Sequence, residues 1–497
     1  MIPIPFFLFK NAVCFLVGIC QDGHHLISQP VNHSDSEGVQ FTQQYATITN
    51  YFEDGGPIVV QLTHRSPQLD VEQSLSRDYA RAWRGMAVSI EHRYFGASQP
   101  NGFKNRDASF EHLTLENVMA DVVRVVQHIR FTTPGCLRSE VIAHGDGYWG
   151  FVAVALRQNY PDIFFAALAI APPTRSFFLN PRPQDADQFL YRDHVSRVYH
   201  RRSSLGAANI RKSFLFLEDQ FLERRDMKRL QSKLNLCTRP HSNDSTHLNQ
   251  LVEVYANAII GPAAMVYANT IAVPTALDYA MGWHKYHFGP MNRVVERAAS
   301  FTDPTSDKKA FHVYGNFLRW VDENWYSRRR NACLDWTGLK VFKQKWSDDL
   351  STKSASYIGC TYFPLCTLNA NESGIFLPRT TNCEGLVQNC MEMFEDKAIA
   401  LTQEEVWTRY KMSPEDLNNS SRILFSVDRS DPMSSLVGGY APEGINVAWS
   451  SCDHVHRIEH DMIARRTQPD FDQWKAEETH VISRWLMSCT RNITWGR

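Results

Sequence analysis

Residues 141–150 read Val141-Ile142-Ala143-His144-Gly145-Asp146-Gly147-Tyr148-Trp149-Gly150, a strand that turns sharply into a helix. A turn of this kind exposes one side chain at its apex, where hydrolases of alternating strand–helix topology carry a nucleophile. The flanks of the turn pack against each other, so the residue two before the apex must be small. Gly145 meets that need if the apex is position 147. An apex at Asp146, the alternative carboxylate nucleophile, would put His144 and Tyr148 at the crowded flanks. The apex is therefore assigned to Gly147, with Tyr148 and Gly150 completing the elbow, and glycine has no side chain with which to attack a carbonyl. In such hydrolases the chain order is nucleophile, acid, histidine. Asp431 follows the strand-like stretch 422–426, and His454 follows the stretch 445–449. An aspartate in that role holds the imidazole's tautomer, and the imidazole takes the nucleophile's proton. Here the pair has no serine to act on, and no second Gly-x-Ser-x-Gly supplies one.

Other polar clusters read more plainly. Cys452, Asp453, His454, His456 and His460 lie close together, but no matching second pair of ligands accompanies them, so no metal site is expected. Glu91-His92-Arg93-Tyr94 stands at a strand end and reads as a structural hydrogen-bond cluster rather than a proton shuttle. Asp431 and His454 could themselves serve to hold two loops together.

The elements that must position these residues follow from the hydrophobic pattern. Apolar runs at 57–62, 85–92, 140–143 and 167–171 read as buried strands. Thr114 opens a helix with Leu115, Val118, Met119, Val122, Val126 and Ile129 on one face. A second helix spans 151–158. Continuous apolar strands alternating with helices imply a parallel sheet covered on both faces. Over 176–403 this rhythm gives way to helix-like periodicity and clustered charge, which reads as an insertion. Strands at 422–426 and 445–449 and a last helix near 474–485 resume it. The expected organisation is a signal peptide over 1–20, a first sheet part over 28–175, a helical cap over 176–410 and a second sheet part over 411–497. Such a cap shapes the pocket at the carboxyl ends of the strands.

A chain of 497 residues exceeds one ordinary core. With 52 basic and 53 acidic side chains, nothing in the charge balance points to nucleic acid or an anionic membrane. Residues 2–9 and 12–20 are apolar around Lys10, too short a charge-free run to span a bilayer, and read as a cleaved signal peptide. Sequons at Asn32, Asn243, Asn371, Asn418, Asn419 and Asn492 agree with export. Of eleven cysteines, Cys14 and Cys20 lie in the leader, and the rest form no CxxC pair, which suits disulfides.

Taken in order, several motifs resemble the family of prolyl carboxypeptidase, dipeptidyl peptidase II and thymus-specific serine protease, over about residues 38–490. Phe41-Thr-Gln-Gln-Tyr45 and Gly55-Gly-Pro-Ile58 are similar to its first strands. Glu91-His-Arg-Tyr-Phe-Gly96-Ala-Ser98 is similar to its Glu-His-Arg-Tyr-Tyr-Gly-x-Ser signature. Leu113-Thr114 to Asp121, and Tyr160-Pro161 with Ala169 to Pro172, resemble the segments before and after its elbow. Its Gly-Gly-Ser-Tyr-x-Gly elbow stands here as residues 145–150, with Gly147 for serine. Its Asn-Gly-x-x-Asp-Pro-Trp stands as 427–433, keeping Asp431, and its Ala-His-His as 453–455, keeping His454. Thr63-His64-Arg65 replaces its Gly-Gly-Glu turn, where an oxyanion donor is expected.

The resemblance implies an α/β-hydrolase fold interrupted by a large, mainly helical insertion. It also implies disulfides Cys237–Cys333 and Cys360–Cys390, with Cys366 and Cys383 left as a further pair. It further implies a peptide or protein ligand in the cleft between cap and hydrolase domain, no cofactor, a homodimer, and a secreted or lysosomal location. The reading it supports is a non-catalytic homologue of proline-specific serine exopeptidases. The alternative is an active carboxypeptidase or dipeptidyl-peptidase cleaving beside proline.

Overall fold

The structure is a computed structural model. It describes residues 23–35, 37–63, 71–72, 74–100, 109–175, 189–271, 289–325, 333–337, 350–363, 370–378, 390–394, 400–429, 431–437, 455–460 and 468–489. The leader, His64, Arg65, Cys366, Cys383, the 445–449 stretch, His454 and Asn492 lie outside them.

Eight strands form one sheet among the described residues: β1 (Gly23–Pro30), β2 (Gln40–Ile48), β3 (Ile58–Thr63), β4 (Met86–Glu91), β5 (Val141–Asp146), β6 (Phe164–Ile170), β7 (Ile423–Asp428) and β8 (Val455–His460). Their spatial order is β1-β2-β4-β3-β5-β6-β7-β8. The β1–β2 and β2–β4 pairs are antiparallel, and every pair from β4 to β8 is parallel. The inner strands β3, β4 and β7 are buried at every residue, as continuous apolar runs require when helices cover both faces.

Helix α1 (Leu75–Ala82) precedes β4; α2 (Leu115–Thr132) and α3 (Gly147–Asn159) flank β5. Thr114 caps α2, its side chain accepting from the Asn117 N–H. Val118, Val122, Val126, Phe151 and Ala155 cover one face of the sheet with Val60, Val88 and Ala143. On the other face Tyr79 of α1 joins Trp474, Ile482 and Trp485 against Val59, Ile142 and Leu424. Trp474, Ile482 and Trp485 come from the last helix, α13 (Gln468–Ser488).

Between β6 and β7 lie α4 (Leu190–Arg202), α5 (Ser204–Asp219), α6 (Met227–Leu234), α7 (Ser245–Ile271), α8 (Gly289–Ala299), α9 (Asp307–Trp325), α10 (Leu350–Tyr362), α11 (Gln403–Tyr410) and α12 (Pro414–Asn418). Helices α4 to α9 build a core of their own around Val195, Phe214, Leu251 and Phe317. Leu436, from the turn after β7, inserts into that core. Disulfides join Cys237 to Cys333 and Cys360 to Cys390. Cys489 is also disulfide-bonded, and Cys136 is a buried thiol.

Two strands escape the hydrophobic pattern because they lie at the sheet's edges. β1 alternates partly buried and exposed residues along Gly23–Ile27, and β8 reads Val-His-Arg-Ile-Glu-His with Glu459 exposed. An edge strand needs only one apolar side, so charge is tolerated on the other.

Candidate active site

β5 runs straight into α3 with no intervening loop: Asp146 is extended, and Gly147, the next residue, has φ +49°. A left-handed φ at the apex is the strain expected of a strand-to-helix elbow that lifts one residue above the sheet. It falls on 147 and not on Asp146, which agrees with the steric placement of the apex. A Cβ on Gly145 would meet the Trp149 backbone at 2.5 Å, and one on Gly150 the Gly145 carbonyl oxygen at 2.9 Å. The flanks therefore require glycine by close approach. A Cβ on Gly147 would meet nothing within 4 Å. The apex has room for a side chain and carries none.

The first turn of α3 is fixed from β4. The Tyr148 hydroxyl lies 3.1 Å from His92 Nε2, and His92 Nδ1 lies 2.7 Å from the Arg93 carbonyl oxygen. The carbonyl can only accept, so Nδ1 carries the proton, and Nε2 accepts from the phenol. Burial, with Tyr362 adding to it, pushes the Tyr148 phenol well up, so it stays neutral. Glu91 accepts from the Ala97 N–H, the Ser98 N–H and the Ser98 hydroxyl at 3.0, 2.9 and 2.7 Å, closing the turn behind His92. Arg93 forms a buried bidentate pair with Asp121, at 2.7 Å on both arms, and donates to the carbonyls of Pro30, Val31 and His112. The polar atoms of Glu91-His92-Arg93 are thus engaged with backbone groups and with the side chains of Ser98, Tyr148 and Asp121.

Asp431 is set by the carboxyl end of β7. Its N–H donates to the Asp428 carbonyl at 3.0 Å, and its carboxylate caps a 3-10 turn (Pro432–Leu436) by accepting from the Met433 N–H at 2.9 Å. The group is buried, and its pKa rises to about 7: burial is the largest cause, Met433 offsets part, and the charges of Asp428 and Asp146 push it further up. β7 lies one strand away from β5, with β6 between them, so the acid loop and the elbow stand at the same carboxyl edge of the sheet. Asp431 in turn raises the Tyr191 phenol of α4, after burial, so the insertion helices cover this loop.

His454 lies outside the described residues. The residue after it, Val455, opens β8 and pairs with Ile423, at the amino end of the parallel sheet. β8 then rises roughly 16 Å before its carboxyl end, where His460 pairs with Asp428.

Sequence reasoning also missed polar groups behind the elbow, for which a buried strand offers no signal. His144 Nδ1 lies 2.9 Å from Ser76 Oγ, and Ser76 donates to Gln61 Oε1. Burial lowers His144 to about 4, so the imidazole is neutral. Among the described residues no trio of His, Cys, Asp or Glu is placed to hold a metal. His456, one of the clustered histidines, is buried with its ring 5.4 Å from Trp485. Asn243, Asn371, Asn418 and Asn419 are exposed, and Asn32 is half-buried.

A parallel sheet entered by an antiparallel pair, a strand–elbow–helix at its centre and an acid after β7 define an α/β-hydrolase fold. The sequence profile described as Serine carboxypeptidase S28 matches residues 29–448, and the chain belongs to that family. It is 24% identical over 454 residues to lysosomal Pro-X carboxypeptidase of Homo sapiens, covering 87% of this chain and 82% of that protein. A probable extracellular serine carboxypeptidase of Arthroderma benhamiae is 26% identical over 189 residues, 33% of this chain and 26% of that one. Among solved structures, VinJ covers 92% of this chain and 98% of its own at 8% identity and a TM-score of 0.31. Among the described residues no helix is long and apolar enough to cross a membrane.

Proposed function

We propose that this chain is an exported pseudopeptidase, a serine-carboxypeptidase scaffold that binds a peptide or protein segment without cleaving it through a covalent intermediate. The observation that carries this reading is Gly147: the apex has the left-handed backbone and open space of a nucleophile position, and no side chain. Acyl transfer in this fold starts with a hydroxyl that gives its proton to histidine and attacks the carbonyl. With that group missing, binding and any remaining oxyanion donors supply only about 10³–10⁴-fold over water. Asp431 and His454 are the acid and histidine this reading assigns to the site. The kinship with a protein named Pro-X carboxypeptidase favours peptides containing proline as ligands. A lysosomal or extracellular place is favoured by the names of these relatives, the apolar leader and the sequons.

The test is purified chain incubated with a fluorophosphonate probe and with peptides carrying proline next to the carboxyl terminus. Neither labelling nor turnover is expected. Stoichiometric labelling, or turnover that a His454→Ala variant abolishes, would overturn the proposal in favour of an active exopeptidase.

A further inference from the structure

On the face of the sheet away from α2 and α3, α13 places Glu478 inside the protein at 1% exposure. The Tyr79 hydroxyl of α1 donates to Glu478 Oε2, while Oε1 has no hydrogen-bond partner. Beside it the Trp474 indole N–H donates to Ser426 Oγ of β7 at 2.7 Å. Among the described residues, no cation is in ion-pair range. Lys475 is committed to Asp78 at 3.0 Å, and His144, whose ring stands edge-on to Tyr79, is held neutral by burial. The other charged neighbours, Glu477 on α13 and Asp78 on α1, are acidic. From β8, His456 turns its ring to Trp485, and β7 offers only the neutral Ser426.

We propose that Glu478 is a proton-operated lock holding α13 to α1 and β7, closed while its carboxyl keeps a proton and loosened when that proton leaves. A carboxylate with no cation beside it among Trp474, Trp485, Tyr79 and Ile482 is poorly solvated, and a few neutral donors cannot replace a hydration shell. When the carboxyl O–H ionises, its proton passes to water. The charge is then relieved by α13 lifting until the group is hydrated. The lock bears on the acid loop, because Ser426 precedes Asp428 by two residues on the same strand.

The protonation range agrees with the geometry. Burial is the largest cause raising Glu478 from 4.5 to about 7; Ser426, Tyr79 and Trp474 offset part of it, and Glu477 raises it further. A carboxyl raised in the folded state contributes stability that is complete below its unfolded value and disappears as pH climbs through the folded one. The docked helix is therefore tightest in acid, and it loosens between about pH 4.5 and 7.

The experiment is hydrogen exchange of the full chain at pH 5 and pH 8, corrected for intrinsic chemistry and read in peptides covering α13. Opening of α13 is expected to rise on the order of 100-fold between the two. Glu478→Gln should show a flat response. Equal protection at both pH values in the unaltered chain, or an unchanged pH response in Glu478→Gln, would overturn the proposal. Should Glu478→Gln fail to fold, Tyr79→Phe decides the matter. Losing the phenol that stabilises the carboxylate should move the opening midpoint to higher pH, and an unmoved midpoint would refute the lock.

Discussion

Gly147→Ser and Gly147→Ala, compared side by side, separate the backbone of the elbow from its chemistry. At φ +49° any side chain is strained by about 1–2 kcal/mol. Removing a glycine restricts the unfolded chain and returns roughly 0.4–1 kcal/mol of this. Since a new Cβ meets nothing within 4 Å, no clash adds to the balance. Both variants should therefore lose about 1 kcal/mol, a fall in Tm of only about 1–3 °C for a chain this long. Their chemistry should differ. A serine hydroxyl at the apex beside the Asp431 loop and the end of β8 should react with a fluorophosphonate probe and hydrolyse prolyl peptides. Positioned proton transfer by the histidine alone is worth ~10²–10⁴-fold, so Gly147→Ser should exceed Gly147→Ala by at least about 100-fold. The assays are differential scanning fluorimetry, mass-resolved labelling of residue 147 and peptide hydrolysis. A Tm loss well above 5 °C in both variants would refute the apex geometry. A Gly147→Ser protein that keeps its Tm but neither labels nor hydrolyses would refute the assignment of Asp431 and His454 as a competent pair.

Gly145→Ala should be far worse tolerated than either, because its Cβ would lie 2.5 Å from the Trp149 backbone; a loss of about 3 kcal/mol or more is expected by denaturant titration. Asp121→Ala strands the buried Arg93 guanidinium and should destabilise by about 3–5 kcal/mol on the same assay. Replacing Cys237 and Cys333 by alanine opens a closure of 96 residues, for which chain entropy predicts a loss of about 4–5 kcal/mol, read as a lower denaturant midpoint. Asp431, like Glu478, is raised when folded, so its contribution to stability is lost as pH climbs toward about 7. Asp431→Asn keeps an acceptor for the Met433 N–H and should narrow the stability gap between pH 5 and pH 8.

Much of this site was legible in the chain itself. The elbow at Gly147 was readable because its constraints are local: an apolar strand, a glycine where backbone must approach, and a helix whose first turn follows without a gap. The inner strands and α2 were readable because burial on both faces, or along one stripe, leaves a periodic trace. The turn that carries Asp431 was readable for the same reason, since it follows an apolar, fully buried strand. What the chain could not disclose depends on non-local pairing. β8 is an edge strand with charged residues, and only its register against β7 sets His460 opposite Asp428 at the carboxyl end of the sheet. Glu478 and Tyr79 are 399 residues apart, and only the packing of α13 across α1 turns an ordinary helix glutamate into a buried acid. The burial of Asp431 likewise comes from the turn that sends Leu436 into the insertion's core. Spacing along a chain reports the forces between neighbours; solvation and opposing strands are decided when distant segments meet.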